Sequence, residues 1–139
     1  MRSPTFYDLD DGGLIFAAKV DAGVGRAIYI GDYRNQAFSV YGAGSITATL
    51  KVKISSQVAK PNFSAAVSAT NRWAYADVAL SNNAGAITDG DTGVTFGGTA
   101  GVLEFEINQN CYIWATLEIV SISGADAAVT ASLALTNNQ

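Results

Sequence analysis

The chain has 139 residues, 49% of them hydrophobic and 14% charged, with a net charge of −4, a single cysteine and no histidine. That length suits one domain that buries a core without disulfides or a structural metal. The acidic balance, with basic residues scattered from Arg2 to Arg72 and none beyond, argues against nucleic acid as a partner, since phosphate binding needs clustered Lys and Arg; without histidine the usual general base and nucleophile partner are missing, and one cysteine alone cannot assemble a zinc set.

In chain order, "MRSPTFYDLDDG" does not alternate and has no apolar core of an export signal, so residues 1–13 read as an arm whose Phe6 and Tyr7 could dock on a neighbour. No run approaches the ~18 apolar residues of a membrane-spanning helix. Period-two alternation then takes over, as expected of strands. Candidate strands are "LIFAAKV" at 14–20, "RAIYIGDY" at 26–33 and "QAFSVYG" at 36–42. In "ITATLKVKIS" Ile46, Ala48, Leu50, Val52 and Ile54 fall on one face, and Thr47, Thr49, Lys51 and Lys53 on a face expected to be wet.

Residues 55–71, "SSQVAKPNFSAAVSATN", break the pattern with Pro61 and small polar residues, and read as a long surface excursion or a crossover between sheets. Export by a signal peptide is not expected, and the sequon at Asn62 is then expected to carry no meaning. "RWAYADVAL" at 72–80 resumes as a strand. "AITDGDTGVTF" at 86–96 resembles the start of a calcium loop, but an EF-hand needs glycine and glutamate where Val94 and Ala100 stand. Asp89 and Asp91 remain weak candidates for another calcium geometry; the commoner physics is a turn, with Asp-Gly reversing the chain and the carboxylates capping backbone N–H groups.

"VLEFEIN" sets Leu103, Phe105 and Ile107 against Glu104, Glu106 and Asn108. "CYIWATLEIV" sets Cys111, Ile113, Ala115, Leu117 and Ile119 against a partly aromatic face with Tyr112 and Trp114 that could be an interface, and the apolar run makes Cys111 a buried thiol by expectation. "VTASLALT" sets Val129, Ala131, Leu133 and Leu135 against Thr130, Ser132 and Thr136, before a short polar tail. About eight strands divided by Gly, Asn, Asp and Ser turns describe an all-β single domain over 14–139, an antiparallel β-sandwich of jelly-roll or Greek-key type, with an up-and-down barrel as the alternative.

Little chemistry is left to this residue set. Glu104 and Glu106 share a strand face and could pair for glycoside hydrolysis, yet any solvent-facing strand produces that spacing. Trp73, Tyr75, Tyr112 and Trp114 could stack on sugars or fill a core or subunit interface, where such rings are enriched. The low charge suggests a surface partly covered by a partner, unless Ser, Thr, Asn, Gln and Gly supply the polarity. An enzyme is not expected, and no cofactor is.

The succession "GDYRNQAFSV", "PNFSAAVSATNRWAYADVALSNNAGAITDGDTGVTFGG", "LEFEINQNCYIWATLEIVS" and a final alternating strand, from Gly31 to the end, resembles small virion structural proteins of tailed bacteriophages that decorate or cement the capsid. The resemblance implies a β-sandwich subunit, often a homotrimer, on the outer capsid surface of a virion, made in the host cytoplasm and bridging copies of the major capsid protein. Tail or head-fibre components and a lectin-like carbohydrate-binding module are the alternatives. Phe6, Tyr7, Trp73, Tyr75, Tyr112 and Trp114 are the expected partner-facing residues.

Overall fold

The computed structural model describes residues 13–81, 86–108 and 111–136. Among them are twelve strands: β1 (Leu14–Lys19), β2 (Gly23–Val24), β3 (Ile28–Tyr29), β4 (Asn35–Ala43), β5 (Thr47–Ser55), β6 (Ala74–Tyr75), β7 (Val78–Leu80), β8 (Ile87–Thr88), β9 (Val94–Gly97), β10 (Gly101–Ile107), β11 (Trp114–Ser123) and β12 (Ala128–Thr136). No helix among the described residues is long and apolar enough to cross a membrane.

The first sheet has the order β1-β12-β4-β10-β7-β8; the second has β2-β11-β5-β6, with β3 also on β11 and β9 also on β5. Taking β2 with β3 and β6 with β9 as single positions, and setting aside the β7–β8 hairpin on the outer edge, leaves eight positions ordered 1-8-3-6 and 2-7-4-5. That is the order of a jelly roll. The expected count of about eight matches these positions, but β9 lies in the stretch read as a turn and is a strand that the alternation did not mark.

Alternation builds the core. In β4 and β12 every second side chain is buried over nine paired positions, from Asn35 opposite Thr136 to Ala43 opposite Ala128. Inward residues of both sheets, among them Phe38, Val40, Leu50, Phe105, Leu117, Ile119 and Leu133, form one apolar cluster. Phe38 and Phe105 are directly opposite across β4 and β10 and stack at 5.4 Å between centroids, worth about 1 kcal/mol beyond the area they bury.

Several expectations are corrected. "RWAYADVAL" is not one strand: Ala74–Tyr75 pairs with β5 in the second sheet and Val78–Leu80 with β10 in the first, so the chain changes sheets at Ala76 and Asp77. "RAIYIGDY" contributes only Ile28–Tyr29. The long 55–71 connection joins two strands of the same sheet, so it is a surface excursion; the sheet-to-sheet crossings are short. Cys111 is exposed, because β11 begins only at Trp114 and Cys111 lies before the paired region. Lys53 is not on a wet face; it is 4% exposed beneath the 56–72 loop.

Candidate functional site

The outer face of the second sheet is where the unusual side chains meet. Leu50, Val52 and Ile54 point into the core, so Lys51, Lys53 and Ser55 point out. Register places Lys53 opposite both Tyr75 on β6 and Thr116 on β11, with Glu118 one outward position along. Tyr75 donates its hydroxyl hydrogen to Glu118 Oε1 at 2.9 Å, and Lys53 Nζ lies 3.7 Å from Glu118 Oε2.

Aromatic rings close over these charges. Lys53 Nζ lies 3.9 Å from the centroid of Trp73 and 5.8 Å from that of Tyr75, while Lys51 Nζ is 4.7 Å from Tyr75. Trp73 and Tyr75 meet edge to face at 5.5 Å. A cation over an indole contributes about 0.5–2 kcal/mol, more as water is excluded. Burial lowers the proton affinity of Lys53, and the neighbouring Glu118 only partly opposes this. Burial together with the bond to Glu118 pushes the Tyr75 phenol up to about 12.

The loop from 56 to 72 is pinned over this surface by two side chains of the sheet, Lys53 and Trp114, and by Trp73 just before β6. Lys53 Nζ donates to the carbonyl of Phe63 at 2.7 Å, Trp73 Nε1 to Ala65 at 2.9 Å and Trp114 Nε1 to Gln57 at 3.1 Å. Within the loop Asn71 bonds Asn62 through both ends of its amide: Oδ1 accepts from the Asn62 N–H at 2.8 Å, and Nδ2 donates to the Asn62 carbonyl at 2.9 Å. Gln57 Oε1 accepts from the Arg72 N–H at 2.8 Å, and Phe63 is buried as an apolar plug. These bonds satisfy backbone groups that a loop of this length would otherwise leave to water.

Of the residues expected at an interface, the structure brings Trp73, Tyr75, Tyr112 and Trp114 to this same end of the sandwich, each half-buried. Trp73 and Tyr112 stand just outside the strands, not within them as the alternation suggested. Trp73 and Tyr112 help line a concavity of about 240 Å³ with Ser55, Ser56 and Arg72. Trp114 packs edge to face with Tyr29 at 5.5 Å. Phe6, Tyr7 and the 1–13 arm, Gly13 apart, lie outside the described residues.

Asp89 and Asp91 lie at the border of this cluster, in the turn between β8 and β9: a Cβ on Gly93 would meet the Lys51 side chain, and the Asp91 charge adds to the rise of the Tyr75 phenol. Asp89 Oδ1 accepts from the Asp91 N–H at 2.8 Å, and the Asp89 carbonyl accepts from Thr92 and Gly93, both at 3.0 Å. Gly93 has φ of 78°, which suits glycine. Asp77 Oδ1 accepts from the Gly90 N–H at 2.8 Å and ties the turn to the β6–β7 segment. Among the described residues no three acidic, histidine or cysteine side chains are grouped to hold a metal ion. Glu104 and Glu106 project from β10 on the opposite side of the molecule, exposed.

Sequence reasoning missed Lys53, Gln57, Glu118 and Asn71, which organise the cluster. The signal was weak but present: two lysines alternate in β5, with Glu118 and two tryptophans elsewhere available to partner them.

No protein-family model matches the chain, and no curated protein matches it. Among solved structures, the fold is similar to that in the crystal structure of the SPBc2 prophage-derived protein YomS, with a TM-score of 0.63 and 12% identity over 99% of this chain and 97% of that one. At this identity the likeness is one of fold.

Proposed function

We propose that this is a non-enzymatic structural protein of a phage virion, a decoration or cement subunit that binds the outer capsid shell, bridges neighbouring major capsid proteins and acts as an oligomer. The observation that carries the reading is the full-length likeness of fold to a prophage-derived protein, joined to the resemblance of the 31–139 segments to phage virion proteins. The pinned 56–72 loop supports it, because a recognition surface already ordered before contact loses little entropy on binding. So does a chain without histidine, whose clustered amine, carboxylate and phenol are taken up by one another and by loop carbonyls.

In this reading the action is thermodynamic. A subunit that binds only the assembled shell stabilises it by mass action, and several weak contacts per oligomer add through effective concentration. The test is co-sedimentation of the purified protein with phage heads that lack it. Saturable binding at a fixed ratio to the major capsid protein is the expected result, and absence of binding rejects the role.

The concavity beside Trp73 favours one second reading, a glycan-binding module of a fibre or tail, since it sets an indole next to Arg72 and hydroxyl side chains. Saturable glycan binding lost in Trp73→Ala would establish it instead.

A further inference from the structure

The outer face of the first sheet and the exposed back of the 56–72 loop are two unlike surfaces on opposite sides of the sandwich. Outward positions of a solvated sheet ordinarily carry long charged side chains of both signs. Here those of β4 and β12 are Ala, Ser, Thr and Asn around Tyr41, with no charge among them. Tyr41, 50% exposed, lies directly opposite Val102, 60% exposed, and Ile87 is exposed on the edge hairpin. The charges on the outward positions of β4, β7, β8, β10 and β12 are Glu104 and Glu106, both acidic.

The loop has the opposite character. From 56 to 72 it carries two cations, Lys60 and Arg72, and no acidic residue, and it exposes Val58 (88%) and Val67 (58%). Exposed valines on a loop held by five side-chain bonds to its own backbone or to the sheet are displayed at little entropic cost to a partner's gain.

We propose that copies of this chain associate head to tail, the back of the 56–72 loop of one copy seating on the outer face of the first sheet of the next. Lys60 then faces the Glu104 and Glu106 carboxylates, and Val58 and Val67 cover the apolar strip around Tyr41 and Val102. Pairing the acidic face with itself would set four carboxylates in one contact with no cation among the outward positions of β4, β7, β8, β10 and β12, which like-charge repulsion disfavours. A heterologous contact between two complementary patches avoids this, and closes into a ring or extends as a chain according to the angle between them. The inference rests on the oligomer of the proposed function and gives its contact, while the test uses the chain alone and so can fail with capsid binding intact.

The test is sedimentation velocity of the full chain over a concentration series up to about 1 mM, at low salt and at about 0.5 M NaCl, where the screening length falls to a few ångströms. The expected result is reversible self-association, weakened about tenfold by salt, since exposed charges contribute. The E104K/E106K double variant and the K60E variant, each checked for an unchanged circular dichroism spectrum, are each expected to lose association about tenfold. Mixing the two restores a pair, because the reversed face of one meets the reversed loop of the other. A chain monomeric throughout the series overturns the proposal. So does an assembly indifferent to either variant, or two weakened variants that fail to recover on mixing.

Discussion

Lys53 Nζ sits 3.9 Å from the centroid of the Trp73 indole and donates to the Phe63 carbonyl at 2.7 Å, so one side chain of β5 holds the middle of the loop that covers it and the residue just past its C-terminal end. The ammonium is the hub of the cluster, and the loop owes its position to it. Lys53→Met keeps most of the aliphatic stem and removes the donor and the cation. The expected loss is about 2 kcal/mol, from one charge-assisted hydrogen bond and one cation–π contact set against relief of the buried charge. Chemical denaturation measures the loss, and limited proteolysis is expected to cut within 56–72 faster than in the parent.

The Tyr75 phenol gives a pH dependence of definite sign. Its folded value of about 12 lies above the ordinary 10.0, so the folded state holds the proton more tightly than the unfolded chain does. The contribution is fully present below pH 10 and is lost as pH rises through 12. Lys53, with its proton affinity lowered, works in the opposite direction: stability rises with pH between its folded value and the ordinary 10.5. Tyr75→Phe is therefore expected to flatten the alkaline decline by on the order of 1 kcal/mol, allowing for solvent screening of a partly exposed ring. Denaturant midpoints of both proteins from pH 9 to 12 measure it.

Gly124 turns the chain from β11 to β12 at φ of 113°, and a Cβ there would run into the Ser45 carbonyl oxygen. At Gly97 a Cβ would meet nothing within 4 Å. Gly124→Ala is expected to cost about 3 kcal/mol or more, through strain and a backbone clash. Gly97→Ala should lie within about 1 kcal/mol of the parent. Equal melting temperatures for the two variants would contradict this account of the turn.

Thr116 is fully buried on the outer side of β11, and among the described residues its hydroxyl has no hydrogen-bond partner. The segment around Gly25 covers it, since a Cβ on Gly25 would come within 2.7 Å of Thr116 Oγ1. Thr116→Val removes an unsatisfied polar atom and keeps the branched shape. A gain of about 1 kcal/mol in unfolding free energy is expected, read from urea midpoints at unchanged slope.

Cys111 is exposed in the segment before β11. A water-soluble thiol reagent should modify it stoichiometrically in the native protein, with no denaturant needed. Labelling that appears only on unfolding would restore the buried reading.

How far the fold could be read from the sequence follows from the period of its side chains. Where one face of a strand is core and the other solvent, alternation is forced by burial, so β4, β5, β10 and β12 are legible within a residue or two. The jelly-roll order is legible only as a class, because pairing partners are set by contacts far apart in sequence: β12 inserts between β1 and β4, and no local pattern records it. The break at Ala76 and Asp77 is hidden for the same reason. A chain passing between sheets keeps its alternation while changing partners.

For the candidate site, composition determined the inventory: low charge, no histidine, two tryptophans and an aspartate-glycine turn. Alternation also placed Lys53 on the side of β5 away from the core, and did so correctly. Only the tertiary structure decided that this side is dry there, because the loop that buries it comes from the same chain ten residues later, anchored through Phe63. Whether an outward residue meets water depends on what is folded over it, and that is a property of the packed chain and not of the strand.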